Sequence, residues 1–131
     1  MNVSTSFLSV LCILAAFSLT QPIHGSPKWV DLDREGRQAQ NAGDLREAYQ
    51  LHRRALQNHD AVGPRRGISY ARLGQVFEKL EQPEKARAAY QRARDILFLA
   101  FGSGDTRVCR LQNRISSLPE NPSDSAEQLE N

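Results

Sequence analysis

Charge is absent from the start of this 131-residue chain: residues 1–27 contain no Asp, Glu, Lys or Arg, so all 17 basic and 15 acidic side chains fall in the remainder. That leaves room for one small domain and excludes long catalytic folds such as barrels and doubly wound sheets. Cysteine is scarce, at two residues, which argues against a disulfide-stapled miniprotein. The formal net charge is only +2, too little for a strongly polybasic nucleic-acid binder. β-Branched residues are sparse in the charged part, which is instead rich in Arg and Ala.

The uncharged end has the pattern of a targeting segment. Phe7 to Thr20 is a 14-residue apolar run, shorter than the roughly 20 residues that a membrane-spanning helix needs. It has the length of a signal-peptide core. Pro22 breaks the helix, and Gly25-Ser26 offers small residues for cleavage. The expected division is a signal peptide over 1–25 and a mature chain from Ser26 that is secreted or enters the secretory-pathway lumen. Met1 to Ser6 holds no Lys or Arg, which keeps an uncleaved membrane anchor as the competing reading; after cleavage no membrane contact is expected. Cleavage removes Cys12 and leaves Cys109 alone, so no intrachain disulfide forms. Within one turn of Val108 and Leu111, Cys109 reads as a buried thiol rather than an intermolecular bridge. The sequon Asn2-Val-Ser lies in the signal and Asn121-Pro-Ser is blocked by proline, so no N-glycan is expected.

An internal offset of 38 organises the rest of the chain. Gly36, Ala48, His52 and Ala55 recur as Gly74, Ala86, Tyr90 and Ala93, and Tyr70, Leu73 and Phe77 recur as Val108, Leu111 and Ile115. Ala48, Leu51, His52, Ala55 and Leu56 form one helical stripe, and Ala86, Ala89, Tyr90, Ala93 and Leu97 form another. Asp44-Leu-Arg-Glu47 has the spacing of a capping box, and Pro83 suits the first turn of a helix. Gly74 in mid-helix costs about 1 kcal/mol against Ala and therefore asks for a packing reason. Helices are expected over 29–42, 45–58, 66–80, 83–100 and 106–116, the last of them covering the apolar run Ile96 to Phe101. From Ser117 onward two prolines and no apolar periodicity predict a disordered acidic tail over 117–131.

Residues 28–116 hold all 17 Lys and Arg, fourteen of them Arg, against 11 Asp and Glu, a net +6. The tail holds Glu120, Asp124, Glu127 and Glu130, a net −4. A basic, Arg-rich body suits an acidic protein or peptide partner, or the chain's own tail folded back, while a solvated charged face is the blander reading and the one with more weight. No aromatics interleave with the basic residues as single-strand stacking requires, so nucleic acid is not an expected partner.

The spaced positions resemble the tetratricopeptide repeat over residues 29–116. A period longer than the minimal unit, followed by Phe101-Gly-Ser-Gly-Asp105, is also similar to the kinesin-light-chain type of array. The resemblance implies an all-α fold for 26–116: a short right-handed solenoid of two helix-turn-helix repeats plus a C-terminal capping helix. It implies packing roles for Gly36, Ala48, Ala55, Tyr70, Leu73, Gly74, Phe77, Ala86, Tyr90 and Ala93. It also implies a concave groove lined by the first helix of each repeat, with Val30, Asp33, Arg37, Gln40 and Asn41 inward, then Ile68, Ala71, Gln75, Glu78 and Lys79, then Thr106, Cys109 and Asn113. The chaperone-tail clamp of the family uses Lys and Asn where this chain has Asp33 and Arg37, so a terminal-carboxylate clamp is not implied. The function implied is non-catalytic binding of a protein or peptide without a cofactor or metal; self-association stays open.

Catalytic constellations find no support beside that reading. His52 stands where the repeat packs an aromatic and reads as a core histidine. His52 and His59 lack the spacing of a helical metal pair, Cys109 has no orienting partners for a nucleophile, and Gly102-Ser-Gly104 lacks the Lys of a phosphate loop. The alternative function is a secreted precursor cut into peptides at Arg53-Arg54 and Arg65-Arg66-Gly67. The helical stripe running past Arg53-Arg54 makes surface arginines the better explanation.

Overall fold

The computed structural model describes residues 27–120; the signal peptide expected over 1–25 and the acidic segment 121–131 lie outside the described residues. The described part is all-α, with five helices and no strand: α1 Trp29–Ala42, α2 Leu45–Gln57, α3 Pro64–Lys79, α4 Pro83–Phe101 and α5 Thr106–Ser117. Local chemistry sets the boundaries. Asp44 Oδ1 accepts from Glu47 N at 3.0 Å to cap α2, and Asp105 Oδ1 accepts from Arg107 N at 2.9 Å to cap α5. Pro83 opens α4 and Pro64 opens α3, at first-turn positions that need no amide donor. The start expected at Arg66 therefore moves back to Pro64.

Each helix packs on its neighbours in sequence, α1 on α2, α2 on α3, α3 on α4 and α4 on α5, with a lighter contact between α1 and α3. Two apolar clusters result. Trp29, Leu32, Leu51, Ala55 and Ala61 form the first, which Trp29 Nε1 ties to α3 by donating to Ser69 Oγ at 2.8 Å. Ala86, Tyr90, Ala93, Leu97, Val108, Leu111, Ile115 and Leu118 form the second.

Within each repeat a glycine of the first helix faces a ring of the second. A Cβ on Gly36 would lie 2.5 Å from His52 Cε1, and a Cβ on Gly74 would lie 2.5 Å from Tyr90 Cε1. Both rings are buried, and Ala48, Ala55, Ala86 and Ala93 are completely covered beside them. The packing reason demanded by Gly74 is thus a ring seated against its backbone. The inter-helix turns repeat as well. Gly43, at φ 85°, closes α1 in the left-handed conformation, with Asp44 N bonded to Ala39 O at 3.0 Å. Thirty-eight residues on, Glu81 takes φ 57° and Gln82 N bonds to Phe77 O at 2.9 Å.

Two expectations about the C-terminal end need correction. α5 does not cover the run Ile96 to Phe101: Leu97 is buried against Val108 and Leu111, but Phe98 is 49% exposed, Leu99 85% and Phe101 44%. The run is helical, so only one side of it can face α5. The domain edge at Ser116 falls inside α5, because Ser117 is helical and Leu118 is buried. Arg87 holds this end by donating to the carbonyls of Ile115, Leu118 and Pro119 at 3.2, 3.1 and 2.8 Å, satisfying acceptors that the helix end leaves open.

Gly74→Ala should lower the urea midpoint. The gain of about 1 kcal/mol in helix propensity is outweighed by about 1–3 kcal/mol of overpacking against a ring that has nowhere to go. A higher midpoint would contradict the close contact. Glu81→Gly should act in the opposite sense and stabilise by about 1 kcal/mol, by relieving a left-handed conformation that only glycine adopts freely; an unchanged or lower midpoint would contradict the turn geometry.

Candidate functional site

The first helices α1 and α3 and the closing helix α5 turn polar side chains to a common hollow of ≈ 390 Å³, lined by Gln40, Gln75, Glu78, Lys79 and Arg114. Four of these are residues that the repeat register assigns to the groove, and Arg37 and Asn41 lie exposed on α1 close to Gln40 in sequence. The others go elsewhere. Asp33 is buried rather than presented, held by Arg37 Nε at 3.2 Å and by Arg72 Nε at 3.4 Å. Ala71 packs against the second apolar cluster and Ile68 against the first. Cys109 and Asn113 line a different hollow with Arg94, Phe98 and Ser103. Cys109 is exposed, not buried; the buried stripe of α5 is Val108, Leu111 and Ile115, and one step past Val108 turns a side chain about 100° away from it.

Glu78 is the most connected of the lining residues. Tyr90 donates its hydroxyl to Glu78 Oε2 at 2.6 Å, and Arg114 Nη1 reaches both carboxylate oxygens at 2.9 and 2.8 Å. Burial, then the hydrogen bond to Glu78, pushes the Tyr90 hydroxyl above its usual pKa, so the phenol remains a donor. Arg114 stands 38 residues after Val76, which is fully buried, so the repeat register assigns it to packing and conceals its place at the hollow.

The same register pairs His52 with Gln40 in the first repeat, but the shorter imidazole makes no such bond. Gln40 Oε1 and both His52 ring nitrogens are buried with no hydrogen-bond partner among the described residues. Burial pulls the His52 pKa down to about 4, with Asp33 opposing the shift and Arg72 and Arg37 adding to it. His52 is therefore neutral in the folded chain at neutral pH, the core histidine expected from its place in the repeat.

A tetratricopeptide-repeat family model matches residues 33–97, spanning the two glycine–ring pairs and the turns between them. The chain belongs to the tetratricopeptide-repeat family. No curated protein and no solved structure matches it. Tetratricopeptide repeats are in general protein-interaction modules, which makes an interaction surface the first question to ask of the hollow. Among the described residues no group of His, Cys, Asp and Glu could hold a metal ion, and no helix is long and apolar enough to cross a membrane. Both dibasic pairs, Arg53-Arg54 and Arg65-Arg66, lie within helices.

The mismatch between the two repeats gives a pH prediction. An unfolded His52 takes up a proton near pH 6.5 and the folded one does so only near pH 4, so stability is complete above pH 6.5 and falls as the pH drops between those values. The loss attributable to His52 should reach up to about 3 kcal/mol. His52→Tyr, which copies the second repeat and brings a hydroxyl toward Gln40 Oε1, should remove that component and gain about 1 kcal/mol at pH 7. Urea unfolding of both proteins at pH 7 and pH 4.5 checks this; equal acid sensitivity in the two would contradict it.

Proposed function

We propose that this chain is a non-catalytic protein- or peptide-binding module of the secretory pathway, and that its partner lies against the hollow formed by α1, α3 and α5. The observation that carries the reading is the convergence of Gln40, Gln75, Glu78, Lys79 and Arg114, contributed by three non-consecutive helices, on one open space. Amide and ammonium groups on rigid helices suit the polar backbone of a bound segment, which specific sites recognise with a few well-placed hydrogen-bonding groups. The groove is not a simple cationic trough. Arg37 and Arg72 are engaged by Asp33, and Arg114 is engaged by Glu78, so Lys79 is the cation most free to meet a partner's carboxylate there.

Passage through the secretory pathway rests on the apolar run Phe7 to Thr20 and on Gly25-Ser26. The setting of Arg53-Arg54 well inside α2 supports an intact mature chain over a precursor cut there, because a protease needs an extended segment and mid-helix backbone is already hydrogen-bonded, whereas Arg65-Arg66 sits in the first turn of α3. Mass measurement of the species in the medium distinguishes the two: the proposal expects a single chain starting at Ser26, and the alternative expects fragments ending near Arg54 or Arg66.

The binding test uses the mature chain as bait in its own secretory fluid, beside a Gln75→Ala/Lys79→Glu variant. Lys79 is exposed, and half-buried Gln75 gives up only a long 3.5 Å hydrogen bond from Arg72, so helicity by circular dichroism should stay within error of the parent. A partner retained by the parent and lost by the variant supports the hollow as its site. Retention by both would place the partner elsewhere. Arg37→Glu is unsuitable for this purpose, since it would set a carboxylate beside buried Asp33 and weaken the fold itself.

A further inference from the structure

A second cleft lies between α2, α3 and α4, away from the hollow just described, and its chemistry is different. Tyr49, Tyr70 and Phe77 give it an aromatic floor within a space of ≈ 350 Å³, and Arg53, Lys85 and Arg92 are the only charged residues on its lining. The Tyr49 and Phe77 rings stand 5.8 Å apart at 54°. Lys85 Nζ lies 5.9 Å from the Phe77 ring centroid, and Arg92 Cζ lies 5.7 Å from that of Tyr70. Among the described residues Arg53, Lys85 and Arg92 enter none of the seven salt bridges. They are exposed and poised over or beside half-buried rings.

The cleft gathers three such cations, where Arg65 stands singly over the Trp29 ring at 5.5 Å. Elsewhere Arg34, Arg37, Arg72, Arg94, Arg107 and Arg114 each meet a carboxylate of the chain itself. Here three cations surround an apolar floor and no internal carboxylate answers them. A neighbouring space of ≈ 490 Å³ shares Tyr70 and Arg92 and continues to Arg66 and to Asp95, whose carboxylate is held by Arg94 at 2.8 Å, so the feature is elongated and accommodates more than one residue of a ligand.

We propose that this cleft is a docking site for an acidic peptide segment of another protein, one that carries a single aromatic or aliphatic anchor flanked by Asp or Glu. The anchor enters between Tyr49, Tyr70 and Phe77, where it leaves water against apolar surface. The flanking carboxylates meet Lys85, Arg92 and Arg53, which give the complex its orientation, its fast association and its sensitivity to salt. Charge complementarity thus assigns the acidic partner to this cleft. A single-stranded nucleic acid fits less well, because base stacking needs an open aromatic face, whereas all three rings are half-buried and those of Tyr49 and Phe77 are tilted against one another. The proposal is independent of the reading of the α1, α3 and α5 hollow.

The test is fluorescence anisotropy on the mature chain with a labelled synthetic peptide holding one Phe among Asp and Glu. The same peptide with Phe replaced by Ser, a version with the acids replaced by Lys, and a labelled single-stranded oligonucleotide serve as comparisons. The proposal expects saturable binding of the first peptide, at least about tenfold weaker binding of the other three probes, and at least about tenfold weakening in Lys85→Glu/Arg92→Glu but not in Lys79→Glu. Because the peptide series leaves the protein unchanged, a folding defect in a variant cannot obscure the result. Equal binding of the Ser peptide or of the oligonucleotide would overturn the proposal, as would weakening by Lys79→Glu as large as that by Lys85→Glu/Arg92→Glu. Binding that emerges only after residues 121–131 are removed would also overturn it, by giving the cleft to the chain's own acidic end.

Discussion

The structure depends on two places where a ring lies against a glycine backbone. Gly36 meets His52 and Gly74 meets Tyr90, and in each case a single added carbon would stand 2.5 Å from the ring. That distance sets how closely the two helices of a repeat approach, and the completely covered alanines beside each ring hold them there. Once the helices of each repeat are set, α3 is placed against α2, α1 and α3 come within touch of each other, and α5 lies along α4. The hollow between α1, α3 and α5 and the cleft between α2, α3 and α4 are both consequences of that spacing.

The surface charge follows a division of labour that net charge alone conceals. Along the α1, α3 and α5 side, Asp33 and Glu78 gather Arg37, Arg72 and Arg114, so those cations are spent on the fold. In the cleft, Arg53, Lys85 and Arg92 face aromatic rings and open space. Part of the body's unpaired basic surplus thus meets apolar surface in this cleft. That is the arrangement in which an ion pair with a partner gains most, because part of its surroundings is already dry.

Much of this was legible in the sequence because the repeat writes itself twice. The offset of 38 located the glycines, the rings and the alanine stripes, and the caps Asp44 and Pro83 marked real helix starts. What stayed hidden is what a repeat pattern cannot express. Glu81 takes the left-handed turn that glycine signals at position 43, so nothing in its identity marked the turn. Arg114 reaches Glu78 from a place whose counterpart is the buried Val76. Cys109 and Asn113 carry groove numbering but lie on the other flank of α5, where they line a separate hollow beside Phe98. The aromatic cleft is built from residues on three helices, and only tertiary packing brings them together. The gap between His52 and Gln40 likewise emerges only when the two repeats are laid over one another.

Since everything downstream depends on the glycine–ring contacts, proton–proton proximity in solution tests the account most directly. In a nuclear Overhauser spectrum of the mature chain, the Hα protons of Gly36 should show cross-peaks to the His52 Hε1 proton, and those of Gly74 to the Tyr90 ring protons. Both sets present together mean that the two repeats are closed by the same contact. Assigned spectra in which either glycine shows no cross-peak to its ring would contradict the packing register, and with it the placement of the hollow and the cleft.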